Sequence, residues 1–165
     1  MKKIISVFLS VIMLVTSLCF AVSANASVNK MSGEYDYTFV SADKIAIIKY
    51  TGSESTVNIP SKIDGFTVTE ISCAFNVMDS NLAEVTIPSS VKTIDANSFC
   101  KNTALKSIVI PSSVTTLDAF QDCTSLTSIK IGDNISNISA YAFAESPVYE
   151  NQYKKGIVYI GKCLL

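Results

Sequence analysis

Between Val57 and Phe143 the chain repeats one pattern four times, and this constrains the fold more than anything else in it. Two copies read VTIPSSVKTIDANSF, from Val85 to Phe99, and IVIPSSVTTLDAF, from Ile108 to Phe120. Another, IKIGDNISNISAYAF, runs from Ile129 to Phe143. The first, VNIPSKIDGFTVTEISCAF, spans Val57 to Phe75 and carries about five extra residues between Pro60 and Val68. Ile59, Ile87, Ile110 and Ile131 fill one column, the widest step being the one that contains this insertion. Ile71, Ile94, Leu117 and Ile138 fill a second, and Phe75, Phe99, Phe120 and Phe143 a third. Fixed apolar columns at a period of about 23 residues imply a solenoid, because a single coil cannot bury its apolar face without a neighbour.

The start of the chain has the form of an export signal. Met1-Lys2-Lys3 is a short basic start, Ile4 to Val22 is apolar apart from scattered Ser and Thr, and Ala24-Asn25-Ala26 has the small-x-small pattern of a cleavage site. Residues 1–26 therefore read as a signal peptide cut after Ala26. The competing reading is a retained anchor, since the apolar run approaches the roughly 20 residues that span a bilayer; the cleavage pattern favours removal. Leu18 precedes Cys19 where a lipoprotein site needs a small residue, which argues against lipidation. The N-x-S sequons at Asn25, Asn134 and Asn137 carry little weight, because the short lysine-based leader has bacterial character.

Cleavage leaves enough chain for one domain, with 11 Lys against 14 acidic side chains and a charge of −3. Arg is absent and no lysine cluster exceeds Lys154-Lys155, so the basic stripe of a nucleic-acid surface is missing. The even set Cys73, Cys100, Cys123 and Cys163 in an exported chain invites a disulfide framework. The repeat argues for free thiols instead. Cys123 falls three residues after Phe120, an inward slot that other copies fill with Asn102 and Ser146, and buried Cys behaves as a small hydrophobe. No disulfide is therefore expected; the lack of a C-x-x-C pair argues against a metal site, and no cofactor is expected either.

Val85-Thr86-Ile87, Ile108-Val109-Ile110 and Ile129-Lys130-Ile131 alternate apolar, exposed, apolar with β-branched residues, the period-2 signature of short strands. Pro88 and Pro111 end two of them, since a residue without an N–H cannot continue a ladder. Stacked coils then place the strands side by side in a parallel sheet. Asp95 to Phe99 and Ser139 to Phe143 are expected as one-turn helices or tight turns on the opposite side. Leu117 to Phe120 is two residues shorter than Ile94 to Phe99, so a tighter turn is expected there. Upstream, Tyr35, Tyr37 and Phe39 alternate with Asp36 and Thr38, Ser41 to Lys44 breaks the run, and Ile45 to Tyr50 resumes strand composition. This reads as a β-hairpin that caps the first coil, with a ligand-binding aromatic patch at Tyr35 and Tyr37 as the alternative. Thr51 to Ser55 is the linker. The organisation expected is thus 1–26 signal peptide, 27–56 linker and hairpin cap, 57–149 repeats, and 150–165 a terminal strand that is the start of a further repeat.

The unit L-x-x-I-x-I-P-x-S-V-x-x-I-x-x-x-A-F-x-x-C-x-x-L resembles the BspA-like leucine-rich repeats of bacterial surface proteins. Leu105 to Leu126 and Leu126 to Tyr149 match it with small gaps, and I-P-S-x-I-D-G-F-x-V-T-x-I, Ile59 to Ile71, resembles the family's opening repeat. The resemblance covers roughly Tyr35 to Leu165. It implies an α/β-type, mostly β solenoid, with a parallel sheet on one face and short turns or one-turn helices on the other. It also implies a secreted or wall-associated, non-catalytic recognition protein, often tied to adhesion. Ordinary leucine-rich repeats place Asn where this chain has Ser90, Ser113 and Asn134, so serine largely replaces the asparagine ladder.

Enzymatic readings have little support. Without His, Ser–His and Cys–His nucleophile pairs are excluded. The carboxylates Glu70, Glu84, Asp95, Asp118, Asp122 and Asp133 are spread singly; a pair such as Asp118 and Asp122 could act as a glycosidase dyad in principle, and solvated turn chemistry is the better reading. Gly52, Gly65, Gly132, Gly156 and Gly161 are isolated turn residues, not a phosphate loop.

Two functional classes remain: a module binding an extracellular protein or cell-surface glycan, and a structural, self-associating envelope component. For the first, alternation along the strands places Asn58, Thr86, Val109 and Lys130 in one outward row and Thr56, Glu84, Ser107 and Ser128 in the row beside it. Four strands about 4.8 Å apart, each offering some 10 Å, expose a strip on the order of 200 Å². A standard interface takes about 800 Å² per partner, so weak or multivalent recognition is expected. For the second, Gly156 to Gly161 reads as a fresh strand at an open end, with Ile157 and Tyr159 the contact residues. No nucleic-acid partner, and no membrane association after cleavage, is expected.

Overall fold

The structure is a computed structural model describing residues 29–76 and 81–148, together with the backbone of 159–160 and 163–164. The leader expected over 1–26, Ile157 and the side chains of Tyr159 and Cys163 lie outside the described residues. The chain forms a mostly-β solenoid of about four turns. Its strands are β1 (Lys30–Ser32), β2 (Tyr35–Phe39), β3 (Lys44–Tyr50), β4 (Thr56–Asn58), β5 (Lys62–Ile63), β6 (Phe66–Ile71) and β7 (Glu84–Thr86). There follow β8 (Thr93–Ile94), β9 (Ser107–Ile110), β10 (Thr116–Leu117), β11 (Ser128–Ile131), β12 (Asn137–Ile138), β13 (Tyr159–Ile160) and β14 (Cys163–Leu164). The last two pair with each other antiparallel.

The main sheet is not the one that the alternating tripeptides predict. An eight-stranded sheet runs β1-β2-β3-β6-β8-β10-β12, with β5 beside β6. From β3 onward along that path its strands are parallel, and they pass through the second column: Ile47, Ile71, Ile94, Leu117 and Ile138 are successive register partners. The predicted tripeptide strands are present but form two separate parallel pairs, β4 with β7 and β9 with β11. In the second column the strand signal is a two-residue T-I or T-L step. Its strand state comes from stacking on the coils beside it, so no window long enough to show period-2 alternation exists.

Upstream, β1, β2 and β3 are antiparallel neighbours, with a register shift at Asp36/Tyr37. The insertion in the first coil forms a second hairpin, β5–β6. Ile63 faces Phe66 across Asp64 and Gly65, whose φ values of 51° and 85° are the left-handed pair that a two-residue hairpin requires.

No helix forms over Asp95 to Phe99 or Ser139 to Phe143; the side opposite the sheets carries turns. The tighter turn expected between Leu117 and Phe120 is absent too. Asp118 and Ala119 run through without a turn, held by Asp118 N–H donating to Ile94 O at 2.9 Å and Ala119 O accepting from Phe99 N–H at 3.0 Å. Dropping the turn shortens this coil and leaves the Phe column in register.

That column is the axis of the core. Phe75, Phe99, Phe120 and Phe143 are buried and stack with interplanar angles of 7–8° and centroid spacings of 5.0, 5.3 and 5.7 Å. Tyr50 extends the stack, 5.1 Å from Phe75 and tilted by 33°, and Tyr35 lies 5.3 Å beyond it. Residues 45–50 thus supply an Ile47 and a Tyr50 to the same columns as the later copies. Around the stack lie Ile45, Ile71, Ile94, Leu105, Ile110, Leu117 and Leu126, all buried. Ile129, Ile131 and Ile138 of the last coil are only partly buried.

The coils repeat in backbone as well as side chain. Lys101, Asp122 and Glu145, each two residues past a column Phe, have φ of 62°, 59° and 58°. A left-handed non-glycine residue costs about 1–2 kcal/mol. It is held by inter-coil hydrogen bonds: Lys101 N–H to Gln121 O at 3.0 Å and Asp122 N–H to Ala144 O at 2.9 Å.

Candidate interaction surface

All residues of the two predicted outward rows are exposed: Thr56, Asn58, Glu84, Thr86, Ser107, Val109, Ser128 and Lys130. Val109 is 59% exposed, although its strand neighbours Ile108 and Ile110 are buried. Register pairing brings Thr56 opposite Glu84 and Asn58 opposite Thr86 in one pair of strands. It brings Ser107 opposite Ser128 and Val109 opposite Lys130 in the other. The rows are therefore two in-register blocks, not one ladder, because β4–β7 and β9–β11 are separate sheets. Thr127, just before β11, donates both its N–H and, at 3.5 Å, its hydroxyl to Lys106 O, tying the second block together.

Three residues past the Phe column lies a buried polar slot, which at Asn102 and Cys123 ties a coil to the one before it. Asn102 Nδ2 donates to Phe75 O at 2.9 Å and Phe99 O at 2.7 Å. In the next coil Cys123 Sγ donates to Phe99 O at 3.1 Å, and in the next Ser146 Oγ donates to Phe143 O at 2.6 Å. All three are buried, as the inward assignment of this slot predicts. The Ser90–Ser113–Asn134 column does not replace an asparagine ladder. Ser90 Oγ and Ser113 Oγ are buried without a hydrogen-bond partner among the described residues, and Asn134 is exposed, its Nδ2 reaching Ser112 O at 2.8 Å.

Cys73, Cys100 and Cys123 are free thiols; Cys73 is exposed and the other two are buried. Burial pushes the Cys123 thiol up to about 12 and raises that of Cys100. Neither is a nucleophile at neutral pH. Asp122, half of the acid pair Asp118–Asp122, occupies a left-handed turn position. Among the described residues no group of three or more His, Cys, Asp or Glu is placed to hold a metal, and no helix is long and apolar enough to cross a membrane.

Near the hairpins one carboxylate has a role that its position in a D-G turn does not reveal. Asp64 accepts from Ser32 Oγ and from Tyr37 Oη, both at 2.8 Å, joining the β5–β6 turn to β1 and β2. The two hydroxyls hold its carboxyl below the ordinary value of 3.8. Burial, and then the bond to Asp64, raises the Tyr37 phenol. Burial, with Tyr50 and Glu34 nearby, raises Tyr35 to about 12. Tyr37 is fully buried, so the alternative of a ligand-binding patch at Tyr35 and Tyr37 loses one of its two rings.

Stacked coils with apolar columns, short parallel strands and a polar slot linking neighbours define a leucine-rich repeat protein. The family described as the BspA type leucine-rich repeat region matches residues 47–165 in six copies, and the chain belongs to that family. Six exceeds the four copies read from the sequence. The match begins at Ile47, the residue that joins the second column and is followed by Tyr50 at the head of the stack.

Solved structures with the same fold include a leucine-rich repeat protein from Bacteroides capillosus, at 21% identity and TM-score 0.63, covering 73% of this chain and 93% of that one. The T. pallidum leucine-rich repeat protein matches at 24% identity and TM-score 0.53, covering 71% and 67%. The pneumococcal vaccine antigen PcpA matches at 21% and 0.51, covering 74% of this chain and 43% of the antigen. None of the curated proteins matches the chain.

Proposed function

We propose that this chain is a secreted or cell-surface, non-catalytic recognition protein that engages an extracellular protein or glycan through the outward rows of β4–β7 and β9–β11. The observation that supports this reading is the combination of full exposure and strict register in those rows, on a core rigid enough to hold them. Side chains fixed by a scaffold lose less freedom on binding than the same side chains on a loop. PcpA, one of the structures sharing this fold, is a vaccine antigen, which supports placement at the surface. Residues 1–26 act as the export signal. The hairpin β2–β3 serves as the N-terminal cap, since β3 lies in register beside β6 and Tyr50 covers Phe75. Each block of two strands is small, so avidity among copies supplies the strength.

Self-association as an envelope component is the second reading. It is favoured by the partial burial of Ile129, Ile131 and Ile138, whose counterparts Ile108, Ile110 and Leu117 in the preceding coil are buried.

The test measures binding to matrix proteins and wall glycans for Glu84→Lys and Lys130→Glu. Loss of affinity with an unchanged melt supports the first reading. Unchanged affinity, with Ile157 or Tyr159 substitutions abolishing self-association, supports the second.

A further inference from the structure

The outward rows carry one unpaired charge of each sign, placed symmetrically about β9. Glu84 and Lys130 are the charged members of the rows; both are exposed, and neither has an ion pair among the described residues. β9 lies between them, packed against β7 on one side and paired with β11 on the other. The repeat aligns Glu84 with Ser107 and Ser128, and Thr86 with Val109 and Lys130. The carboxylate and the ammonium therefore stand one strand to either side of β9 and in different rows. Val109 lies between them, 59% exposed, and is the apolar member of the rows.

We infer that the partner of this face is the same face of a second copy of the chain. A two-fold axis lying in the interface and crossing β9 between Ser107 and Val109 exchanges the positions of Glu84 and Lys130. Glu84 of each copy then meets Lys130 of the other, and the two Val109 side chains meet near the axis. No fixed separation of the charges is needed, because each pair forms across the interface and a flexible lysine stem follows its carboxylate. The two charges of one face cancel, so the rows offer no net attraction to a polyanion or a polycation. They are complementary to their own two-fold image. Exposed pairs contribute little individually, and the strip is far smaller than a stable dimer needs, so a single contact is weak. Copies arrayed on two apposed surfaces make many such contacts at once. The inference rests on the reading of these rows as the recognition face and names its protein partner; it makes no use of the open end.

Beads of two colours, coated with the protein or a variant, read this contact by their clumping. Parent beads should clump, and less so as salt rises. Glu84→Lys and Lys130→Glu each turn both attractive pairs into like-charge pairs, so each should cut self-clumping about tenfold or more with an unchanged melt. Mixed with each other, the two single variants should clump, because both pairs become attractive again. The double variant Glu84→Lys/Lys130→Glu should clump with itself to within about threefold of the parent and be excluded from parent clumps. Lys92→Glu, the same reversal at an exposed residue outside the rows, should change clumping less than about twofold. Parent beads that stay dispersed, clumping that survives both single reversals, or single variants that fail to recover on mixing would overturn the inference. A double variant that does not clump with itself, while each single reversal weakens binding to matrix proteins or wall glycans, would overturn it alone and leave the rows standing as a recognition face.

Discussion

Asn102 donates its side-chain amide to the carbonyl of Phe75, one coil earlier, and to that of Phe99 in its own coil, at 2.9 and 2.7 Å. Neither carbonyl lies in a strand, and the amide is fully buried, so no water can replace it. Phe99 O keeps the Cys123 thiol as a donor when the amide is removed, whereas among the described residues the Asn102 amide is the donor seen at Phe75 O. Asn102→Ala should therefore destabilise by about 1–3 kcal/mol. Cys123→Ser keeps a donor in the equivalent slot and should cost less; chemical denaturation of the two variants checks the order.

The ring stack predicts where truncation hurts most. Phe99 is stacked on both faces, by Phe75 and Phe120, whereas Phe143 has a ring partner on one face among the described residues. Phe→Ala at either should cost about 3–5 kcal/mol, with Phe99 at the upper end. A melt that barely moves for Phe99→Ala would remove the column from the core.

Thiol reactivity separates the cysteines. Cys73 is exposed and should label within minutes in the native state, while Cys100 and Cys123 should label only on unfolding. Site mapping by mass spectrometry after labelling native and denatured protein reads this directly. Four labels in denatured, unreduced protein lacking residues 1–26 are expected; two or none would restore the disulfide framework.

Asp64 sets an acid dependence. Its folded-state carboxyl is held below 3.8 by Ser32 and Tyr37, so its contribution is present above the unfolded carboxylate range. It is lost as pH falls through the folded value. Asp64→Asn should flatten the decline in melting temperature below about pH 4 relative to the parent protein. An unchanged acid limb would mean that the hydroxyls do not bind the carboxylate in solution. At the other extreme, Cys123 is raised to about 12, so its contribution is full below the ordinary thiol value and is lost as pH rises above it. Cys123→Ala should lessen the alkaline decline.

Export has its own readout. Mass spectrometry of culture supernatant should find an N-terminus at Ser27. A cell-retained protein beginning at Met1 would place the apolar segment in a membrane instead.

Much of this architecture is written into single residues at fixed intervals. The Phe column, the inward slot of Asn102, Cys123 and Ser146, and the outward rows from Thr56 to Lys130 are all legible, because one coil dictates the environment of the next. Tyr50 escaped the count of copies, as it is not Phe and stands one coil ahead of Phe75 in a segment that also makes a hairpin.

What the sequence determined alone is the solenoid: apolar residues that recur once per coil in the same columns have no other way to leave water. Tertiary structure decided which strands share a sheet. Thr93–Ile94 and Thr116–Leu117 are two-residue strands that exist only because Ile71 and Ile138 flank them in register. It also decided that Glu84 and Lys130 fall in separate sheets on either side of β9. Periodicity specifies which way a residue faces within its coil. The partner across the ladder depends on insertions and bulges, and these act only once the coils have stacked.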